Sequence, residues 1–151
     1  MHRNNLHARA SYGYLDAEYD EYFAPDSDGN IEDRSDRDLR RAPKNTFGAG
    51  LTYSANVWEG EIIGDLSYRW RDDFEVLADN DPVGHVDAYG IWDASVDYIF
   101  RERYQISVYG RNLDDERVHT VTKIGTISSF GGWNQPRNWG VELRYSFGSG
   151  F

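Results

Sequence analysis

Residues 138–147, Asn138-Trp-Gly-Val-Glu-Leu-Arg-Tyr-Ser-Phe147, alternate without a break. Trp139, Val141, Leu143, Tyr145 and Phe147 are apolar, whereas Asn138, Gly140, Glu142, Arg144 and Ser146 are polar or small. Period two is the signature of a β-strand, because successive side chains leave opposite faces. One face is aromatic at both ends and aliphatic between them; the other carries opposite charges. A strand with a wet, charged face and an apolar, aromatic-ended face suits the wall of a transmembrane β-barrel.

The same pattern recurs along the chain. A first strand is expected over about 6–23, carrying Leu6, Ala8, Ala10, Tyr12 and Tyr14 on one side, with a parity shift near Leu15. A second, 45–54, presents Phe47, Ala49, Leu51 and Tyr53 and ends in a tight turn at Ala55-Asn56. The third, 57–71, sets Trp58, Ile62, Leu66, Tyr68 and Trp70 against Glu59, Glu61, Asp65, Arg69 and Arg71. A fourth, 88–100, sets Trp92, Ala94, Val96, Tyr98 and Phe100 against Asp93, Ser95 and Asp97. The fifth, 104–112, sets Tyr104, Ile106 and Val108 against Gln105, Ser107, Tyr109 and Arg111. The last is 138–147. Three long polar stretches separate them, around 25–43, 72–87 and 113–136, and read as solvated loops.

Connections thus run long, short, long, short, long. Membrane barrels have one rim of short turns and one of long loops, so strict up-and-down topology accounts for the alternation. The aromatics give an independent check. Tyr53, Trp58, Tyr98, Phe100, Tyr104, Tyr145 and Phe147 fall near the short-turn rim, and Tyr12, Tyr14, Phe47, Tyr68, Trp70, Trp92 and Trp139 near the long-loop rim. Trp92 to Phe100 is roughly 26 Å of strand. Tilted by about 40°, that covers roughly 20 Å of depth, close to the apolar band of such barrels. Tyr and Trp favour the membrane interface, being apolar with one polar tip. A soluble antiparallel sandwich also alternates, but it places aromatics anywhere on its buried face and gives no reason for the loop lengths.

Composition narrows the functional classes. The 151 residues carry a net charge of −10, which argues against nucleic acid, whose phosphates call for basic partners. There are no cysteines, excluding disulfides and thiolate sites. No run of 18 apolar residues offers a membrane helix. Met1-His-Arg-Asn-Asn lacks the apolar core of a signal peptide, so an exported protein is expected to begin further upstream. The fold expected is all-β: about six antiparallel strands of a larger barrel. Six strands leave two open edges whose unpaired N–H and C=O groups each cost several kcal/mol in hydrocarbon. The alternative is a self-contained eight-stranded barrel in adhesion or surface structure, with strand extensions hidden in Val118–Ile127.

The segments Ala42-Pro-Lys-Asn-Thr-Phe-Gly-Ala-Gly-Leu-Thr-Tyr53, Ile106-Ser-Val-Tyr-Gly-Arg-Asn-Leu-Asp-Asp-Glu-Arg117 and Pro136-Arg-Asn-Trp-Gly-Val-Glu-Leu-Arg-Tyr-Ser-Phe147 carry a family resemblance. With a weaker match at Tyr12–Tyr19, the chain resembles the C-terminal end of the β-barrel of TonB-dependent outer-membrane receptors. The resemblance implies a roughly 22-stranded barrel with a plugged lumen. It implies uptake of siderophore-bound iron, cobalamin or sugars, driven through TonB, in the outer membrane of a Gram-negative bacterium. The partners implied are outer-membrane lipid, an N-terminal plug, further barrel strands, TonB by way of the plug, and the barrel-assembly machinery. Gly140, Leu143, Tyr145 and Phe147 match the spacing of the signal that machinery reads. The family usually ends on the aromatic of its last strand, whereas Gly148-Ser-Gly-Phe151 follows here, so the terminal role falls to either Phe147 or Phe151.

Side-chain chemistry points to a wall rather than an enzyme. Glu59, Glu61, Asp65, Arg69, Arg71, Asp93, Asp97, Arg111, Glu142 and Arg144 are the lumen-facing candidates, suited to hydrated or plug-contacting surface. His85, His119 and Trp133 lie in the long loops and are the candidates for touching a ligand. Asp26-Ser-Asp-Gly-Asn30 has a calcium-loop look, but its glycine is at the fourth place and Arg37 at the twelfth. His2, His7, His85 and His119 are scattered without a metal-ligand spacing. Ser128 and His119 share a loop with nothing to orient them as a catalytic pair. No phosphate loop, dinucleotide fingerprint or nucleophile elbow occurs. No cofactor, metal or enzymatic activity is expected.

Overall fold

The computed structural model describes residues 4–26, 28–123 and 130–147. Its strands are β1 (Asn5–Tyr14), β2 (Phe23–Pro25), β3 (Ile31–Asp33), β4 (Asn45–Val57), β5 (Gly60–Arg71), β6 (Phe74–Glu75), β7 (His85–Val86), β8 (Tyr89–Phe100), β9 (Tyr104–Arg111), β10 (His119–Lys123), β11 (Phe130–Trp133) and β12 (Asn138–Tyr145). One antiparallel sheet takes the order β1-β4-β5-β8-β9-β12. The remaining strands form three separate hairpins, β2-β3, β6-β7 and β10-β11, one in each long connection.

Register, more than strand count, defines this sheet. One row across it reads Ala8, Leu51, Leu66, Ala94, Gly110, Trp139, and the next but one reads Leu6, Tyr53, Gly64, Val96, Val108, Val141. A slip of one residue at any pairing would carry a whole strand's apolar set to the other face. None slips, so every apolar set falls on a single face. Aromatic pairs close that face at both ends. Tyr68 lies against Trp92 (centroids 4.5 Å) at the long-loop end, and Tyr104 against Tyr145 (4.8 Å) at the short-turn end.

Among the described residues no second layer covers this face. Leu51 is 42%, Val96 47%, Val141 59% and Leu143 75% exposed. A sandwich of this size would bury those residues, at about 25 cal/mol per Å² gained. Among the described residues the buried apolar cluster is instead Val76, Val86 and Val118, joined by Phe74 and Tyr89, and it sits among the long connections.

Four expectations are corrected. The first strand stops at Tyr14, not near Phe23, because its partner β4 begins at Asn45 and the alternation breaks at Leu15. Phe23–Pro25 pairs with Ile31–Asp33 instead. The second strand does not turn at Ala55-Asn56. Ala55 pairs with Ile62 and Val57 with Gly60, so the turn is Trp58-Glu59. Trp58 takes a left-handed φ of 55° there, and its exposed ring meets Tyr98 edge-on at 6.5 Å. Glu59 therefore stands in a turn rather than on the polar strand face, and grips Arg101 of the next turn at 2.6 and 2.8 Å. The last strand ends at Tyr145, opposite the start of β9 at Tyr104; Ser146 N–H adds one bond, to Arg103 O of the turn at 2.9 Å, and Phe147 lies beyond the ladder. Finally, the stretch from Val118 adds no wall strand. His119–Lys123 folds back on Phe130–Trp133, so among the described residues the wall has six strands and not eight.

Candidate functional site

The polar face of the sheet carries most of the charged residues singled out in the sequence, most of them held by a neighbour. Asp65 accepts from Thr52 Oγ1 at 2.6 Å and lies 4.0 Å from Arg9. Arg69 pairs with Asp93 at 2.7 Å across β5 and β8. Asp97 accepts from Gln105 at 3.0 Å and from the Ser107 hydroxyl. Arg111 lies 5.8 Å from the Tyr109 ring, and Arg71 5.8 Å from that of Phe74. Glu142 and Arg144 join along β12 at 2.8 Å. Glu61 lines a hollow at the short-turn rim with Glu59, Arg101 and Glu102. These pairs are spread across the face and converge on no single point.

The residues matched to the assembly signal occupy distinct places. Gly140 faces Tyr109, whose hydroxyl would stand 2.6 Å from any Cβ added there. Leu143 sits opposite Ile106 on the apolar face. Tyr145 packs between Tyr104 and Phe147, the latter edge-on at 4.4 Å.

A second centre forms where the long connections meet. The first and second are tied by backbone. Asp38 N–H donates to Asn80 Oδ1 at 2.8 Å, Asn80 Nδ2 returns to Asp38 O at 3.1 Å, and Arg41 N–H donates to Glu75 O at 2.8 Å. The second and third meet through Val76, Val86 and Val118. Beside that contact opens a cleft of about 230 Å³ whose lining includes His85, Asp87, Glu116, Arg117, His119 and Trp133. All three loop residues expected to touch a ligand are therefore brought to one place. His119 meets the Trp133 ring edge-on at 3.9 Å.

Electrostatics sharpen one wall of the cleft. His85 Nδ1 lies 2.7 Å from Glu75 Oε1, and Asp87 is 3.6 Å from Nε2. The hydrogen bond to Glu75 raises the His85 pKa above its ordinary value, helped by the negative charge of Glu75, Asp87 and Asp73. Glu75 Oε2 is enclosed without a hydrogen-bond partner among the described residues, so His85 is the principal neutraliser of that carboxylate.

What the sequence reading missed is the post on which the third connection hangs. Asn112 is buried, at a left-handed φ of 51°. Its Nδ2 donates to Glu116 O and Gln135 O, both at 2.9 Å, and its Oδ1 accepts from Glu116 N–H at 2.9 Å. Asn134 repeats the device, with Oδ1 to Val118 N–H at 3.0 Å and Nδ2 to Glu116 O at 2.9 Å. Asp115 Oδ1 takes Arg137 N–H at 2.8 Å, at the entry to β12. The signal was there in Asn112-Leu-Asp-Asp-Glu116, because Asn tolerates left-handed backbone and bonds nearby peptide groups.

The calcium-like stretch is a turn. Asp26 Oδ1 accepts from Asn30 N–H at 2.8 Å, which chiefly lowers the Asp26 pKa, and from Asp28 N–H at 2.9 Å. Two of its features, the carboxylate and the chain reversal, are thereby committed to closing β2 on β3. Ser27, Ser128, His2, Ile127 and Phe151 lie outside the described residues.

An uncovered apolar face with aromatic ends, a charged opposite face, one rim of tight turns and one of interlocked loops define the wall of a transmembrane β-barrel. The family described as TonB dependent receptor-like, beta-barrel matches residues 3–113, and the chain belongs to that family of receptor barrels. The crystal structure of the ferric yersiniabactin uptake receptor FyuA from Yersinia pestis shares the fold. Its TM-score is 0.66 at 24% identity, over 72% of this chain and 17% of that one. No curated protein matches the chain.

Proposed function

We propose that this chain is the C-terminal wall segment of a TonB-dependent receptor in a Gram-negative outer membrane. It serves energy-coupled uptake of a scarce nutrient: siderophore-bound iron, cobalamin or a carbohydrate. The apolar face meets lipid, and the polar face lines a lumen filled by a plug that engages TonB. The cleft of His85, His119 and Trp133 helps capture ligand outside. The barrel-assembly machinery reads Gly140, Leu143, Tyr145 and Phe147. The observation carrying this reading is the unbroken register that sorts aliphatic and aromatic residues onto one uncovered face of six strands.

These 151 residues contain no cysteine, so single cysteines placed in them, in a receptor whose other cysteines are replaced, report the topology. Single cysteines at Trp133, Leu51 and Glu102 are labelled in intact cells with a membrane-impermeant maleimide. Label is expected at position 133, none at 51, and at 102 only after the outer membrane is opened. Labelling of 102 in intact cells, or of 51 in either state, would overturn the proposed orientation. Loss of nutrient-dependent growth on replacing His119 and Trp133 by Ala is expected if the cleft captures ligand.

A further inference from the structure

Asp93 reads as one more charge on the polar wall, yet its two carboxylate oxygens serve different parts of the molecule. Oδ2 takes Arg69, which is largely exposed on the polar face, at 2.7 Å. Oδ1 takes the backbone N–H of Asn112 at 2.9 Å. Asn112 is the residue whose side chain gathers Glu116 and Gln135, and through Glu116 and Asn134 the same network fixes Val118. Val118 and His119 form one wall of the cleft, and Trp133, paired with His119, forms its edge. An unbroken run of hydrogen bonds thus leads from a guanidinium on the lumen side to the cleft between the loops. A parallel tie, Leu113 N–H to Trp92 O at 2.9 Å, fixes the turn's next residue to the same strand.

We propose that Asp93 is the positioning residue of the cleft, and that through it the state of Arg69 on the polar face is linked to cleft geometry. The turn at 112–116 is left-handed at both Asn112 and Asp115, a conformation that persists only where surrounding bonds determine it. An acceptor on the adjacent strand that holds the Asn112 N–H supplies one such bond. Because the same carboxylate is divided between Arg69 and Asn112, a lumen group that engages Arg69 redistributes it, and by linkage a ligand in the cleft acts back on Arg69. This deepens the reading of the cleft as a capture site, but its test needs no ligand and so fails separately from that reading.

The test is amide hydrogen exchange on the full receptor barrel that carries this wall, in detergent micelles or outer-membrane vesicles, followed for residues 112–119 and 133–135. Asp93→Ala is expected to speed exchange there about tenfold while leaving the β4-β5 ladder unchanged. Asp93→Asn keeps an oxygen acceptor for Asn112 N–H but sets an NH2 against Arg69, so it should lose only the Arg69 link and match Arg69→Gln, well short of Asp93→Ala. Arg69→Gln should give an intermediate rise of about threefold on the same amides. Emission from Trp133, isolated as the difference from Trp133→Phe, should shift in Asp93→Ala and return most of the way in Asp93→Asn. Asp93→Ala without effect at 112–119 overturns the positioning role. Equal loss in Asp93→Ala and Asp93→Asn assigns it to the charge pair alone and overturns the hydrogen-bond route. Arg69→Gln indistinguishable from the parent overturns the link to the lumen.

Discussion

The six-stranded wall and the assembly of long connections are held by different physics. In the wall, backbone ladders bond every interior strand on both edges, and side chains mainly choose which face they share. In the loops, short hairpins supply few ladder bonds, and side chains bond peptide groups instead: Asn112 and Asn134 in the third connection, Asn80 in the second, Asp26 in the first. The wall leaves its apolar residues open to a solvent of its own kind, while the loops enclose the small cluster of Val76, Val86 and Val118. Damage to the wall should therefore act on assembly in the membrane, and damage to the loops on local order and capture.

The largest effect is expected at the end of the wall. Gly140→Asp places a carboxylate where the Tyr109 hydroxyl stands, and Tyr145→Asp puts one among Tyr104 and Phe147 on the apolar face. Either should abolish outer-membrane assembly of the barrel, seen as loss of the heat-modifiable folded band on gels. Normal heat-modifiability in both variants would contradict the placement of β12 as a membrane strand. Next come paired substitutions one residue apart in parity. Leu51→Arg carries a charge onto the apolar face and should cost about 2–4 kcal/mol in a bilayer. Thr52→Arg, on the polar face, should cost well under half of that, apart from its lost bond to Asp65. Equal losses in folding titrations would mean that the two faces do not meet different solvents.

Loop damage is smaller. Asn112→Ala removes three hydrogen bonds of a buried amide and leaves the Glu116 N–H and the Gln135 carbonyl to find other partners. A cost of about 1–3 kcal/mol is expected. It should appear as faster trypsin cleavage after Arg117, with the folded wall intact. Unchanged cleavage would show that Asn134 alone secures the connection.

This division also decides what the sequence could tell. Period-two alternation reveals β4, β5, β8, β9 and β12 because every residue in a wall strand obeys it. Strand ends were less legible, since they depend on where the partner stops. Phe23 and Phe147 continue an apolar theme but have no facing residue in the sheet. Trp58 deceived for a related reason. A bulky aromatic at left-handed φ is disfavoured, so nothing local marks it as a turn residue. Its position follows from the pairing of Val57 with Gly60. In the loops, composition suggested His85, His119 and Trp133 only as polar-loop residues with chemistry to offer. Their meeting depends on Val118 reaching Val76 and Val86 from another connection, which no local pattern encodes.

The smallest effect concerns pH at the edge of the cleft. His85 faces Glu75, Asp87 and Asp73 from its own connection, and Glu116, Arg117 and His119 line the cleft with it. Its pKa is raised in the folded protein, chiefly by the hydrogen bond to Glu75. The sign follows from linkage. The folded state binds the proton more tightly than the unfolded state, so the contribution is fully present below the ordinary histidine pKa of about 6.5 and is lost as pH rises through the raised value. Asp26 and Asp33 run the other way. Their lowered pKa values keep the β2-β3 hairpin supported above the ordinary carboxylate range, and that support is lost as pH falls through the folded pKa. Hydrogen exchange should accordingly show the β6-β7 hairpin loosening with rising pH once corrected for intrinsic exchange, while β2-β3 loosens with acid. His85→Gln should flatten the first profile and leave the second untouched. A β6-β7 profile that keeps its slope in His85→Gln would transfer the titration to another group of the cleft and remove Glu75–His85 as the hairpin's clasp.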